Sequence, residues 1–167
     1  MFFIIENEDI AFACVDVIVN AANGVGFMGG AASAKKLCSG VAEHLNYYTQ
    51  GKIEKEAKHV LKQNGKILGF APGEIYITGS YDLNCKCVIH AVTMQIPGIS
   101  SSYKAVEKCT EEIFRFLQDN GYFSVAIPLL GCGVGGLKAD KVQEIIKKNA
   151  DYYPDIKTSL YVGGKSI

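Results

Sequence analysis

The chain has 167 residues, 49% of them hydrophobic, the size and apolar content of one globular domain with a sizeable core over 1–167. Its 17 basic residues balance 17 acidic ones and Arg115 is its single arginine, so an overall attraction to membranes and an extended nucleic-acid surface are both unexpected. No apolar run approaches the roughly 20 residues of a spanning helix, and MFFIIENED lacks the basic start and cleavage site of a signal peptide, which sets the expectation of a cytoplasmic protein.

In chain order, FFIIE (2–6) reads as an edge strand, and VDVIVNA (15–21) is nearly continuous in apolar character, as a strand buried on both faces must be. That strand runs into a segment with Gly24, Gly26, Gly29 and Gly30, followed by a small-residue helix start. The stretch 40–57 is long for a connection; its Glu43, His44, Tyr47 and Tyr48 fit either an exposed amphipathic helix or an approach to a cleft. Ile53, Ala57, Val60 and Leu61 fall on one face of a helix. EIYIT (74–78) and CVIHAV (87–92) read as strands, and Val106, Cys109, Ile113 and Leu117 as a second helical face. SVAIPL (124–129) is a strand leading into GCGVGGL (131–137), Val142, Ile145 and Ile146 mark a third helix, and TSLYV (158–162) a last strand. Apolar runs alternating with helical periods predict an α/β domain. The six cysteines (Cys14, Cys38, Cys85, Cys87, Cys109 and Cys132) read as reduced, mostly buried small hydrophobes. Cys85-x-Cys87 has no second pair at ligand spacing, so neither a metal nor another cofactor is expected.

In an open α/β sheet, ligands sit at the carboxyl ends of strands, where loops enter helices. Both glycine-rich segments satisfy that placement. Glycine lets successive N–H groups converge on an anion, so two such loops side by side suit a diphosphate. Neither segment fits the P-loop or the dinucleotide-binding fingerprint.

VDVIVNAAN, the glycine run after it, GEIYITGSYDLNCKCVIHAV and SVAIPLLGCGVGGL stand in the order and spacing of the macrodomain family, which the chain resembles over nearly its whole length. The resemblance implies a three-layer α/β/α sandwich with a mixed, roughly six-stranded sheet. It also implies a cleft for ADP-ribose, held free, as an acetylated metabolite, or on a protein or a nucleic-acid end. Asp9 would accept a hydrogen bond from the adenine amino group with the Ile10 backbone beside it, although from its own neighbours Asp9 reads as a surface-turn residue. Asn23 would contact the distal ribose, and Asn20 would tie the loop to itself. Gly29 and Gly30 would form one diphosphate loop, and Gly131, Cys132, Gly133, Val134, Gly135 and Gly136 the other. His90, inside a strand, reads as a satisfied core histidine.

The resemblance also implies ADP-ribosyl hydrolysis or O-acetyl-ADP-ribose deacetylation, with non-catalytic recognition of ADP-ribose as the alternative. One hydrolase branch orients the attacking water with an aspartate; the aligned position here is Ser33. Another branch, similar in MGG and GCGVGGL, attacks through a lysine, for which Lys35 or Lys36 would stand, assisted by an aspartate whose position is Gly135. No carboxylate occupies either place.

Overall fold

The computed structural model describes residues 2–163. Six strands, β1 (Phe3–Glu6), β2 (Val17–Asn23), β3 (Ile75–Gly79), β4 (Cys87–Met94), β5 (Ser124–Pro128) and β6 (Lys157–Tyr161), form one sheet in the order β1-β6-β5-β2-β4-β3. All neighbours are parallel except β3, which pairs antiparallel with β4. β2 is therefore interior, as its nearly continuous apolar pattern predicts, and β1 is an edge, as expected.

Alternation along the strands divides the core between two helical layers. Val17, Val19, Ile89, Ala91, Val125 and Ile127 face α4 (Tyr103–Asp119) and α5 (Ala139–Asp151), meeting Val106, Cys109, Ile113, Leu117, Val142 and Ile146. Ile18, Val88 and Ala126 point the other way, onto Leu45 of α2 (Val41–Tyr48) and Ile53 of α3 (Lys52–Gln63). A six-residue helix, α1 (Gly30–Lys35), completes that layer beside α2. The result is the three-layer sandwich with a mixed sheet. Only Cys87 and Cys109 of the cysteines are fully buried, which corrects the expectation that most would be; Cys14 is exposed because it precedes β2 rather than lying within it. Among the described residues no helix is long and apolar enough to cross a membrane.

Two polar anchors fix the strands that carry the site. At the amino ends, the Asp16 carboxylate accepts from the N–H groups of Phe123 and Ser124 and pairs with Lys86 at 2.8 Å, joining the starts of β2, β4 and β5. The hydrogen bond from Lys86 leads in holding the Asp16 carboxyl below its usual range. In mid-sheet, Asn20 Nδ2 donates to His90 Nδ1 at 3.1 Å, so the ring carries its proton on Nε2 and donates it to Thr78 Oγ1 at 2.8 Å. His90 stacks on Tyr76 with centroids 4.6 Å apart, and burial holds its pKa down to about 3.

Candidate functional site

A cleft of about 500 Å³ lies over the carboxyl ends of β2, β4, β5 and β6, bounded by the first glycine-rich segment and the start of α2 on one side and the second glycine-rich loop on the other. Asp9, Ile10, Asn23, Gly29, Gly131, Cys132, Gly133, Val134 and Gly135 all line it. The topology thus gathers residues that are more than 120 positions apart in the chain.

Asn23 lines the cleft with its amide largely occupied. Its Nδ2 donates to the Phe27 carbonyl at 2.8 Å and its Oδ1 accepts from the N–H groups of Val25 and Phe27, so the side chain braces the loop that follows it and keeps one N–H free. Asn20, fully buried on His90, is behind the cleft and not part of its lining.

The first glycine loop is held from behind. Glu54, reaching up from α3 and only 7% exposed, accepts from the N–H groups of Met28 at 2.6 Å and Gly30 at 2.8 Å, with Lys58 Nζ on its other oxygen. Burial works to raise the Glu54 pKa, but Lys58 and the two N–H groups outweigh it and leave the carboxyl below its usual value. A carboxylate of the protein therefore occupies the N–H of Gly30, which is not in the lining, whereas Gly29 lines the cleft and its N–H makes no hydrogen bond among the described residues. Ser33 is 1% exposed; its hydroxyl donates to the Met28 carbonyl and accepts from Asn46 Nδ2, turned away from the cleft. Lys35 ends α1 and Lys36 caps it, both exposed and both outside the lining.

The second loop is open by contrast. Its scaffold uses the N–H groups of Cys132, Gly136 and Leu137, which donate to Leu129, Gly133 and Gly131, while the Gly135 carbonyl accepts from Ser101 N–H. The N–H groups of Gly133, Val134 and Gly135 make no hydrogen bond among the described residues, and all three residues line the cleft. Successive unpaired N–H groups are what an anion-binding concavity is built from. Gly136 is outside the lining.

Asp9 is the turn residue that its own neighbours suggest, and it also lines the cleft. Its Oδ1 accepts from Ala11 N–H and caps the turn Ile10–Phe12, while Oδ2 faces His44 Nδ1 at 2.5 Å at the edge of the cleft. His44 and Glu43 both line the cleft from the start of α2; Tyr47 and Tyr48, one turn on, do not. Phe27, Thr93 and Tyr161 also line it. They carry no motif, and only their places at the ends of loop or strand bring them there. No lysine or arginine is among the lining residues.

A model of the Macro domain matches residues 19–146. Curated relatives from Aquifex aeolicus, Aeropyrum pernix and Enterobacter cloacae are matched over 64%, 62% and 65% of their own lengths, so the chain spans under two thirds of each. The Enterobacter cloacae relative, named O-acetyl-ADP-ribose deacetylase, is 34% identical over 129 residues, 77% of this chain. Among solved structures, the macrodomain of Mycobacterium tuberculosis DarG superposes with a TM-score of 0.82 at 20% identity, covering 98% of this chain and 99% of that one. The Oceanobacillus iheyensis macrodomain with ADP superposes at 0.80 with 19% identity, covering 96% and 83%.

Proposed function

The chain belongs to the macro domain family, and on that premise we propose that its cleft binds ADP-ribose, free or conjugated, and that the protein hydrolyses mono-ADP-ribosyl conjugates or O-acetyl-ADP-ribose. The carrying observation is the row of unpaired N–H groups on Gly133, Val134 and Gly135, facing a cleft with Asp9 at its edge. In this reading the diphosphate lies on the second loop, and its charge is met by backbone dipoles, since no lysine or arginine is among the described lining residues. The adenine amino group donates to Asp9, whose carboxylate has lone pairs left after Ala11 and His44 are served. Asn23 meets the distal ribose with its remaining N–H.

Calorimetry with ADP-ribose tests the binding. The Asp9→Asn variant keeps an acceptor for the Ala11 cap and is expected to bind at least about tenfold more weakly, the worth of a hydrogen bond to a charged group. A wild-type protein giving no heat with ADP-ribose would sink the reading. Recognition without turnover is the second reading, and it draws on the burial of Ser33 and the position of Lys35 and Lys36 on solvent. Incubation with O-acetyl-ADP-ribose and with mono-ADP-ribosylated protein separates the two by whether ADP-ribose is released.

A further inference from the structure

Five ionisable side chains line the cleft: Asp9, Glu43, His44, Cys132 and Tyr161. Four of them are already engaged, enclosed or kept protonated. Asp9 is held by Ala11 and His44. His44 has its Nδ1 on Asp9, and its Nε2 is enclosed without a partner or contact with solvent. Burial, aided by Asp140, pushes the Cys132 thiol up, and burial, aided by Glu6 and Glu8, does the same to the Tyr161 phenol. Both stay protonated.

Glu43 remains. It stands in the first turn of α2, partly exposed, with no hydrogen bond or ion pair among the described residues. Its stem crosses the first glycine loop closely enough that a Cβ on Gly29 would lie 2.9 Å from its Cγ. Among the described lining residues no lysine or arginine neutralises it. For binding alone, an unpaired carboxylate in a cleft meant for a diphosphate is a disadvantage, since like charges repel. Its presence there calls for a chemical use.

Resting on the ADP-ribose reading above, we propose that Glu43 is the general base of this cleft and that its substrates are esters of the distal ribose. The carboxylate takes one proton from a water as the water oxygen attacks the acyl carbon, giving a tetrahedral intermediate. The bond from that carbon to the ribose oxygen then breaks, and the proton on Glu43 passes to the leaving oxygen. The products are ADP-ribose and a carboxylic acid, which ionises in solution. In an ester joining C1 of the ribose to a protein carboxylate, the same base activates water for attack on C1, and the leaving carboxylate needs no proton. A single free carboxylate supplies only the proton it has just accepted, so an N-glycosidic bond, whose nitrogen must be protonated to leave, lies outside its reach.

The test compares wild type, Glu43→Gln and Glu43→Asp on O-acetyl-ADP-ribose, on a carboxylate-linked ADP-ribosyl peptide and on an arginine-linked one, with ADP-ribose affinity measured alongside. For Glu43→Gln, kcat on the esters is expected to fall by about a hundredfold or more, the usual worth of a general base. Its affinity for ADP-ribose should be equal or tighter, because a repulsive charge has gone. Glu43→Asp should recover part of the rate, and the arginine-linked peptide should resist all three proteins. Ester turnover by Glu43→Gln within about threefold of wild type would overturn the assignment. So would wild type cleaving the arginine-linked peptide faster than the esters. A wild type that binds ADP-ribose but hydrolyses neither ester overturns this inference alone; one that does not bind overturns the reading beneath it as well.

Discussion

At residue scale, the two asparagines of NAAN and the glycines around them are structural devices before they are ligand contacts. Asn23 has three hydrogen bonds to its own loop, and Asn20 is bound into the interior on His90. Gly135 is equally constrained: a Cβ there would lie 2.5 Å from the Gly131 carbonyl oxygen and 2.8 Å from Ser101 Cβ. Restoring a carboxylate by Gly135→Asp is therefore expected to cost stability, about 1–3 kcal/mol by analogy with other overpacked sites, without raising turnover. Thermal unfolding and the ester assay check both halves, and a Gly135→Asp protein with wild-type stability and a faster rate would refute the expectation. The resemblance to hydrolase branches points to positions that lack an acid here, but it could not show that this loop is folded too tightly to hold one.

At the scale of elements, the cleft depends on α3, which never touches it. Glu54 on that helix fastens the first glycine loop by the Met28 and Gly30 N–H groups, and removing its carboxylate would leave two buried donors without partners. Glu54→Ala is expected to lose about 2–4 kcal/mol, since each unsatisfied buried donor costs on the order of 1–3 kcal/mol and the loop relaxes partly toward water. Denaturant unfolding reads that loss. A change under about 0.5 kcal/mol would mean that the loop holds its shape without the anchor. The sequence shows Glu54 as one more acid on an amphipathic helix, because spacing gives the face of a helix but not the loop packed on its end. For the same reason α2 was an ambiguous stretch until its first turn was seen over the cleft.

For the whole molecule, pH acts through the sheet. Burial holds the His90 pKa down to about 3, whereas an unfolded histidine titrates near 6.5. Between those values the unfolded chain binds a proton that the folded chain refuses, so stability is greatest above pH ~6.5 and falls as pH drops, by up to about 1.4 kcal/mol per unit. The depressed carboxyl of Asp16 acts lower: its contribution is present above pH ~4, the ordinary aspartate value, and is lost as pH falls below it. Unfolding free energies at pH 7, 6 and 5 should show the histidine slope, and His90→Gln should flatten it even though that variant starts less stable. Equal slopes in the two proteins would show that His90 is not the source.

The chain by itself determined the α/β order of elements, the interior place of β2, the edge place of β1, and the two glycine-rich turns at strand ends, because periodicity and turn chemistry are local and survive in a linear string; the three layers were implied by the family resemblance. The chain also determined His90 as a core residue, since a polar group inside a continuous apolar strand has to find its partners in the interior. Tertiary structure alone decided which side chains face the cleft. Ser33 turns away because its hydroxyl is bonded into the interior by Met28 and Asn46, and Lys35 and Lys36 lie on solvent at the end of the short α1, whereas Glu43 and His44 turn in because α2 starts over the first loop. It also decided which backbone amides are free: Glu54 occupies those of Met28 and Gly30 in the first loop, and those of Gly29, Gly133, Val134 and Gly135 are left open among the described residues. Such a distinction depends on partners brought together from distant parts of the chain, and no local pattern records it.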